Sequence, residues 1–207
     1  RLVAGDYDAA VQDCQAAMDL AQRAANRIPS NRRPPLTHPE SNVSITLSGA
    51  LVESGRLTEA IELCTDIARR ARESGMNRSE GAILANQAVA EYCCDFRQAA
   101  QASLARCRRL QSLHRDPSVH MVTAILLARL TIEGGDVRAS EGILDDAITA
   151  AQGLQFNLAI AEALTLALEL AIHTADPRAA RVALASYGID GIVSPNDTWP
   201  ASLARWF

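Results

Sequence analysis

The chain has 207 residues and a formal net charge of −4, with 48% of its residues hydrophobic but only 4% aromatic. That is enough apolar material for a core, which excludes a disordered chain, and no run approaches the ~18 consecutive apolar residues of a membrane-spanning helix. All twenty basic residues are arginine, which excludes a Walker A loop, a Schiff-base lysine and a kinase-type lysine. The opening residues RLVAGDYDAA lack the apolar segment of a secretory leader. Five cysteines without regular spacing suit reduced thiols better than a disulfide framework. The expected setting is cytoplasmic.

In chain order, a short turn signal followed by an alanine-rich amphipathic stretch recurs five times. The segments are Gly5-Asp6-Tyr7-Asp8-Ala9-Ala10, Gly55-Arg56-Leu57-Thr58-Glu59-Ala60, Cys94-Asp95-Phe96-Arg97-Gln98-Ala99, Gly135-Asp136-Val137-Arg138-Ala139-Ser140 and Ala175-Asp176-Pro177-Arg178-Ala179-Ala180. Counted from the second residue of each, the steps are 50, 39, 41 and 40 residues. A period of about 40 predicts an all-α array, a right-handed solenoid of about five helix-turn-helix repeats. The expected repeats are roughly 1–27, 40–75, 78–114, 117–153 and 157–188, with 189–207 beginning a further element. Both ends read as cut from a longer chain.

The first helix of each pair is expected over roughly 41–54, 79–94, 118–134 and 158–174. The second helices carry a stripe at i, i+4 and i+8, the buried line of an amphipathic helix. It starts at Ala10, Ala60, Ala99, Ser140 and Ala180, and continues through Cys14, Cys64, Ser103, Leu144 and Leu184. Met18, Ala68, Cys107 and Ile148 follow, and Leu110 and Ala151 extend it. Breaks are expected at Gly75, at His114–Pro117, at Gly153 and at Gly188. The ten-residue insertion lies in a proline-rich stretch, read over 28–39 as a loop running across the surface.

These turns resemble those of the tetratricopeptide repeat superfamily, through the Gly-Asp-Tyr-x-x-Ala pattern of Gly5–Ala10 and its echo at Gly55–Ala60. The longer period, without a Trp or Tyr landmark in the first helices, is similar to the repeat arrays of large ATP-binding LuxR-type bacterial transcription regulators of the maltose-activator class. The all-arginine basic set agrees with the GC-rich genomes in which that family is found. The resemblance implies a non-catalytic scaffold that binds a protein, a peptide or a small inducer, with no cofactor. A free-standing adaptor is the first alternative, and an enzyme on a helical-repeat frame the second.

Chemistry-bearing residues are sparse. Cys14, Cys64 and Cys107 fall on the buried stripe and read as small hydrophobes. The vicinal pair Cys93-Cys94 could hold a soft metal or oxidise, but no Cys-x-x-Cys spacing supports this. His38, His114, His120 and His173 show no metal-ligand spacing, so no metal is expected. Arg69-Arg70-Arg72 and Arg106-Arg108-Arg109 close two successive second helices, where cations complement the helix dipole. A basic ridge for nucleic acid is the weaker reading, since no aromatic platform accompanies it.

In the tetratricopeptide arrangement one face of each first helix lines a groove. Carried over by distance from each turn, that face is Asn42, Ile45, Gly49, Val52 and Glu53, then Leu84, Ala88, Glu91 and Tyr92. In the later repeats it is Ile125, Arg129, Ile132 and Glu133, then Glu162, Thr165, Glu169, Ile172 and His173. The resemblance implies binding at Asn42, Glu53, Glu91, Tyr92, Arg129, Glu133, Glu162, Glu169 and His173. Glu53, Glu91, Glu133 and Glu169 would form an exposed acidic ladder for a basic or amphipathic segment.

Overall fold

The computed structural model describes residues 6–114, 116–153, 165–167 and 169. Seven helices are described in full: α1 Tyr7–Ala25, α2 His38–Glu53, α3 Leu57–Glu73, α4 Asn77–Cys93, α5 Arg97–Gln111, α6 Pro117–Glu133 and α7 Val137–Gly153. Residues 165–167 and 169 are also helical, and no strand occurs among the described residues. The chain divides into two compact units, residues 1–119 and 120–207. The all-α helix-pair repeat expected from the period is therefore present.

One turn is used again and again. In Ser54-Gly55-Arg56, Gly55 has φ 76° and its N–H donates to the Val52 carbonyl (3.0 Å), while Arg56 N–H donates to Leu51 (2.9 Å). These two bonds satisfy carbonyls that the end of α2 would leave open, and Arg56 is then the N-cap of α3. Ser74-Gly75-Met76 repeats the pattern with φ 68° at Gly75, as Gly75 donates to Arg72 (3.0 Å) and Met76 to Ala71 (2.8 Å). In the second unit Gly135, with φ 83°, donates to Ile132 (2.9 Å) and Asp136 donates to Thr131 (3.1 Å).

The turn after α4 departs from the sequence reading. Its left-handed residue is Asp95, with φ 63°. Asp95 donates to Tyr92 (3.0 Å) and Phe96 to Glu91 (2.8 Å). Asp95 thus occupies the place of Gly55 and Gly135, not the place of Asp6 and Asp136. Those two aspartates are N-caps whose side chains accept from Ala9 N–H (3.3 Å) and Ala139 N–H (3.1 Å). Aspartate serves both positions, since its short polar side chain suits a cap and tolerates the left-handed region. The step between equivalent residues 55, 95 and 135 is an even 40, and the expected steps of 39 and 41 came from equating Asp95 with Arg56 and Asp136.

The stripe follows the corrected register. Ala60, Ala100 and Ser140 are each fully buried, and Cys64, Leu104 and Leu144 lie one turn on. Ala99, the expected residue, is exposed. Ser103 and Cys107 are still buried, but Cys107 holds the place of Ile67 rather than Ala68. Cys14 is half-buried, as is Leu110. The side chains of Ile148 and Ala151, and residues Ala180, Leu184 and Gly188, lie outside the described residues.

In the first unit Val11 of α1, Leu47 and Leu51 of α2, Ala60 of α3 and Ala90 of α4 share one core. In the second, Met121, Ile125 and Ala128 of α6 pack with Leu144 and Ala147 of α7 and with Leu166. Alanines recur among the larger side chains of both cores, where they let helices approach closely. The proline-rich loop spans 26–37, two residues earlier at each end than the expected 28–39. Thr37 and Glu40 form a capping box, so α2 starts at His38 with Pro39 in its first turn, where a missing N–H costs nothing. The loop's end is pinned rather than draped: Leu36 is 1% exposed, and its N–H donates to Ser74 Oγ (2.9 Å).

Candidate interaction surfaces

With the register fixed, the solvent-facing line of each first helix can be read directly. On α2 it runs through Asn42 and Thr46, both exposed, and half-buried Gly49 and Glu53. Forty residues on, α4 presents Ala82, Asn86 and Val89, all half-buried, and exposed Cys93. Asn86 ties the two helices together, its Nδ2 donating to the Ile45 carbonyl (3.1 Å) and to Ser48 Oγ (2.8 Å).

Glu91 and Tyr92 are not on this line. They are 5% and 8% exposed, and Leu84 and Ala88 are buried with them. The one-residue slip in the third turn rotates the expected face by about 100°, enough to carry it into the core. The Arg97 guanidinium stacks 3.9 Å from the centre of the Tyr92 ring. On the first unit the expected acidic ladder therefore reduces to Glu53, with Cys93 at the corresponding place on α4.

In the second unit Glu133 is exposed, and Ile125 and Ile132 are core residues. Arg129 Nη1 lies 3.7 Å from Glu169 Oε2, so these two expected binding residues form an ion pair with one another. Glu162 and His173 lie outside the described residues.

The arginine clusters have partners that sequence reasoning missed. Glu40, in the first turn of α2, is 1% exposed. Its Oε2 accepts from Thr37 N–H (2.9 Å) and Thr37 Oγ1 (2.8 Å), and its Oε1 from Arg70 Nη2 (3.0 Å). Arg33 Nη2 stands 3.6 Å from the same oxygen. Arg70 also donates from Nε to the Pro35 carbonyl (2.8 Å), locking the loop end. Burial works against ionisation of Glu40, but the Thr37 hydrogen bonds, then the hydrogen bond and charge of Arg70, outweigh it and hold the carboxyl below its ordinary range.

Forty residues later Glu80 is again 1% exposed. It accepts from Arg72 Nε (3.1 Å) and Arg106 Nε (2.7 Å). Arg69 is paired with Asp66 and Glu73 on its own helix. Arg108 and Arg109 are exposed in the last turn of α5. Thus Arg70, Arg72 and Arg106 fasten buried carboxylates, and no continuous ridge of open cations remains. The 40-residue spacing of Glu40 and Glu80 could have signalled this, once the period was known.

Burial pushes the thiol of Cys64 up to about 12, a hydrogen bond with Ser48 opposes the shift, and the Glu91 charge adds to it. Burial alone raises Cys107 to about 12, and its Sγ donates to the Gly81 carbonyl (3.1 Å). Cys93 is exposed and Cys94 half-buried. His38, His114 and His120 are exposed. Among the described residues no three His, Cys, Asp or Glu side chains come together as metal ligands would.

These geometries define a helical-repeat protein of tetratricopeptide-like fold. Solved structures that share it include two repeat proteins. BtubC (BKLC) from P. vanneervenii superposes with a TM-score of 0.60 at 11% identity, covering 94% of this chain and 96% of that one. A Podosopora anserina protein of nearly identical TPR-like repeats, assigned to the kinesin light chains, gives a TM-score of 0.56 at 16% identity over 87% of this chain and 88% of its own. No protein-family model and no curated protein matches the sequence. At these identities the likeness establishes the fold.

Proposed function

We propose that the chain is a non-catalytic scaffold that binds a protein or peptide segment along the solvent-facing line of its first helices. The observation that carries this reading is the contrast between the two faces of α2 and α4. Their buried faces are committed to the core and to the Glu40 and Glu80 ion pairs. Their outer line keeps Asn42, Thr46 and Glu53 beside Ala82 and Val89, a low relief of small and uncharged groups with one acid. Such a surface lets a partner segment approach closely, with Glu53 setting the preference for a basic residue. Arg129, Glu133, Glu162, Glu169 and His173 remain the corresponding candidates in the second unit, and a small inducer is the alternative occupant.

We further infer that this region is the sensor or interaction part of a larger bacterial transcription regulator acting in the cytoplasm. The support is the 40-residue repeat step and the resemblance drawn from it. No described helix is long and apolar enough to cross a membrane. Sequencing the full gene tests the context, with a nucleotide-binding module before these residues and a DNA-binding module after them as the expected result. The surface is tested with Asn42→Arg combined with Val89→Arg. Partner capture from the source cells should be lost in this variant and retained in Arg109→Glu, on the last turn of α5. Equal capture by both variants would overturn the assignment.

A further inference from the structure

Glu91 stands forty residues after Leu51, in the same place at the end of the first helix, and both are buried. Repeat logic puts an apolar side chain there, and the third repeat puts a carboxylate. Its Oε1 accepts from Gln87 Nε2 (2.7 Å). Its Oε2 is buried with no hydrogen-bond partner. A buried carboxylate oxygen left unsatisfied is a cost that leucine would not incur, so an acid at this place calls for a donor from elsewhere.

Gln87 is the link to the outside. It lines a depression of about 710 Å³ between α3 and α4, and its Nε2 also reaches Thr65 Oγ1 at 3.5 Å. The Glu91 carboxylate thus lies one hydrogen bond behind the lining. Ile61, Ala68 and Leu84 give the depression an apolar wall. The two arginines that line it are already committed, Arg69 to Asp66 and Glu73 and Arg72 to Glu80. The two acids of the lining, Glu62 and Asp66, balance these two arginines, so the Glu91 carboxylate behind it is the acid in excess.

We propose that this depression binds an ammonium or guanidinium group carried on an aliphatic stem. The stem packs on Ile61, Ala68 and Leu84, and the cation's N–H groups supply the donors that Glu91 lacks, with Gln87 moving aside or sharing its carbonyl. This site is separate from the outer line of α2 and α4, so it stands or falls independently of the function proposed above. A basic side chain of a partner and a free alkyl cation present the same chemistry.

The test is an amide-shift titration by NMR of the whole chain with n-butylguanidinium and, separately, with the blocked tripeptide acetyl-Gly-Arg-Gly-amide. Saturable shifts confined to α3 and α4 are expected, weakening as salt is added. Tighter binding of the tripeptide would identify a partner's side chain as the source, and tighter binding of the free cation a small molecule. Glu91→Gln should weaken binding at least about tenfold, the loss of one charge-assisted hydrogen bond. Glu91→Leu restores the residue type of the preceding repeat, so it should fold and also fail to bind. Absence of saturable shifts with both probes, or equal affinity in either variant, would overturn the proposal.

Discussion

The second and third repeats of this chain are built on one plan, and two of the equivalent pairs at which they differ stand out. The second has Leu51 inside and Gly55 in the left-handed turn position, while the third has Glu91 and Asp95. Helix bounds agree to within two residues, and the turn hydrogen bonds and the buried carboxylates Glu40 and Glu80 recur. Because the frame is shared, the second repeat serves as the reference for what the fold alone requires. The substitutions in the third are then the places where something other than the fold is at work.

The sharpest way to break the comparison is to exchange its core residues. Leu51→Glu buries a charge in the apolar cluster of Val11, Leu47 and Ala60, and should cost more than about 3 kcal/mol in denaturant unfolding. Glu91→Leu should leave stability unchanged or raise it by up to about 2 kcal/mol, since replacing a poorly paired buried charge with an apolar side chain removes a penalty. A large loss in Glu91→Leu would mean that the carboxylate is fully satisfied within the fold.

The next effect separates the two buried carboxylates. Glu80 accepts from the guanidinium groups of Arg72 and Arg106, whereas Glu40 also has the Thr37 cap. Replacing Arg72 and Arg106 together by alanine should cost about 3 kcal/mol, because Glu80 is left buried and uncompensated. Arg70→Ala should cost about 1–2 kcal/mol, since Thr37 continues to donate to Glu40. Equal losses would show that the cap contributes little.

How much of this was legible beforehand follows from the same pairs. The period, the helix pairs and most of the buried stripe could be read because they depend on the spacing of small and apolar residues, which sequence displays. The register of the third repeat could not, because Cys94-Asp95 looks like Gly5-Asp6 until φ is known at Asp95. That slip of one residue turned Glu91 and Tyr92 from core into surface. The recurrence of Gly55, Gly75 and Gly135 at multiples of twenty was the available signal, since it predicts a turn at 95 with Asp95 in the glycine place. The Glu40–Arg70 and Glu80–Arg106 pairs, 30 and 26 residues apart, depend on which helices meet, which spacing within one helix does not reveal.

A smaller effect sharpens the turn comparison. Gly55→Ala forces a side chain into the left-handed region and should cost about 1 kcal/mol. Asp95→Gly removes that strain but loosens the unfolded chain and gives up the exposed Asp95–Arg97 ion pair (3.0 Å), so its gain should stay under about 1 kcal/mol. Thermal midpoints of the two variants against the parent should move in opposite directions. Movement in the same direction would refute the equivalence of residues 55 and 95.

The smallest effect is carried by pH. The Glu40 carboxyl is held below its ordinary value in the folded chain, by the Thr37 and Arg70 interactions that outweigh its burial. The unfolded chain therefore binds a proton at Glu40 at a higher pH than the folded chain does. By linkage, Glu40 contributes its full stabilisation above the unfolded value, about 4.3, and loses it as pH falls through the folded one. Glu40→Gln cannot titrate. It should be less stable than the parent at neutral pH, and the gap should narrow on acidification below about pH 5, when unfolding curves are compared pH by pH. Thr37→Ala should reduce the same pH dependence in part, because it removes the hydroxyl donor while leaving Arg70 in place. A gap between parent and Glu40→Gln that stays constant from neutral pH to pH 3 would show that Thr37 and Arg70 do not favour the charged form, and that Glu40 is buried with its proton on.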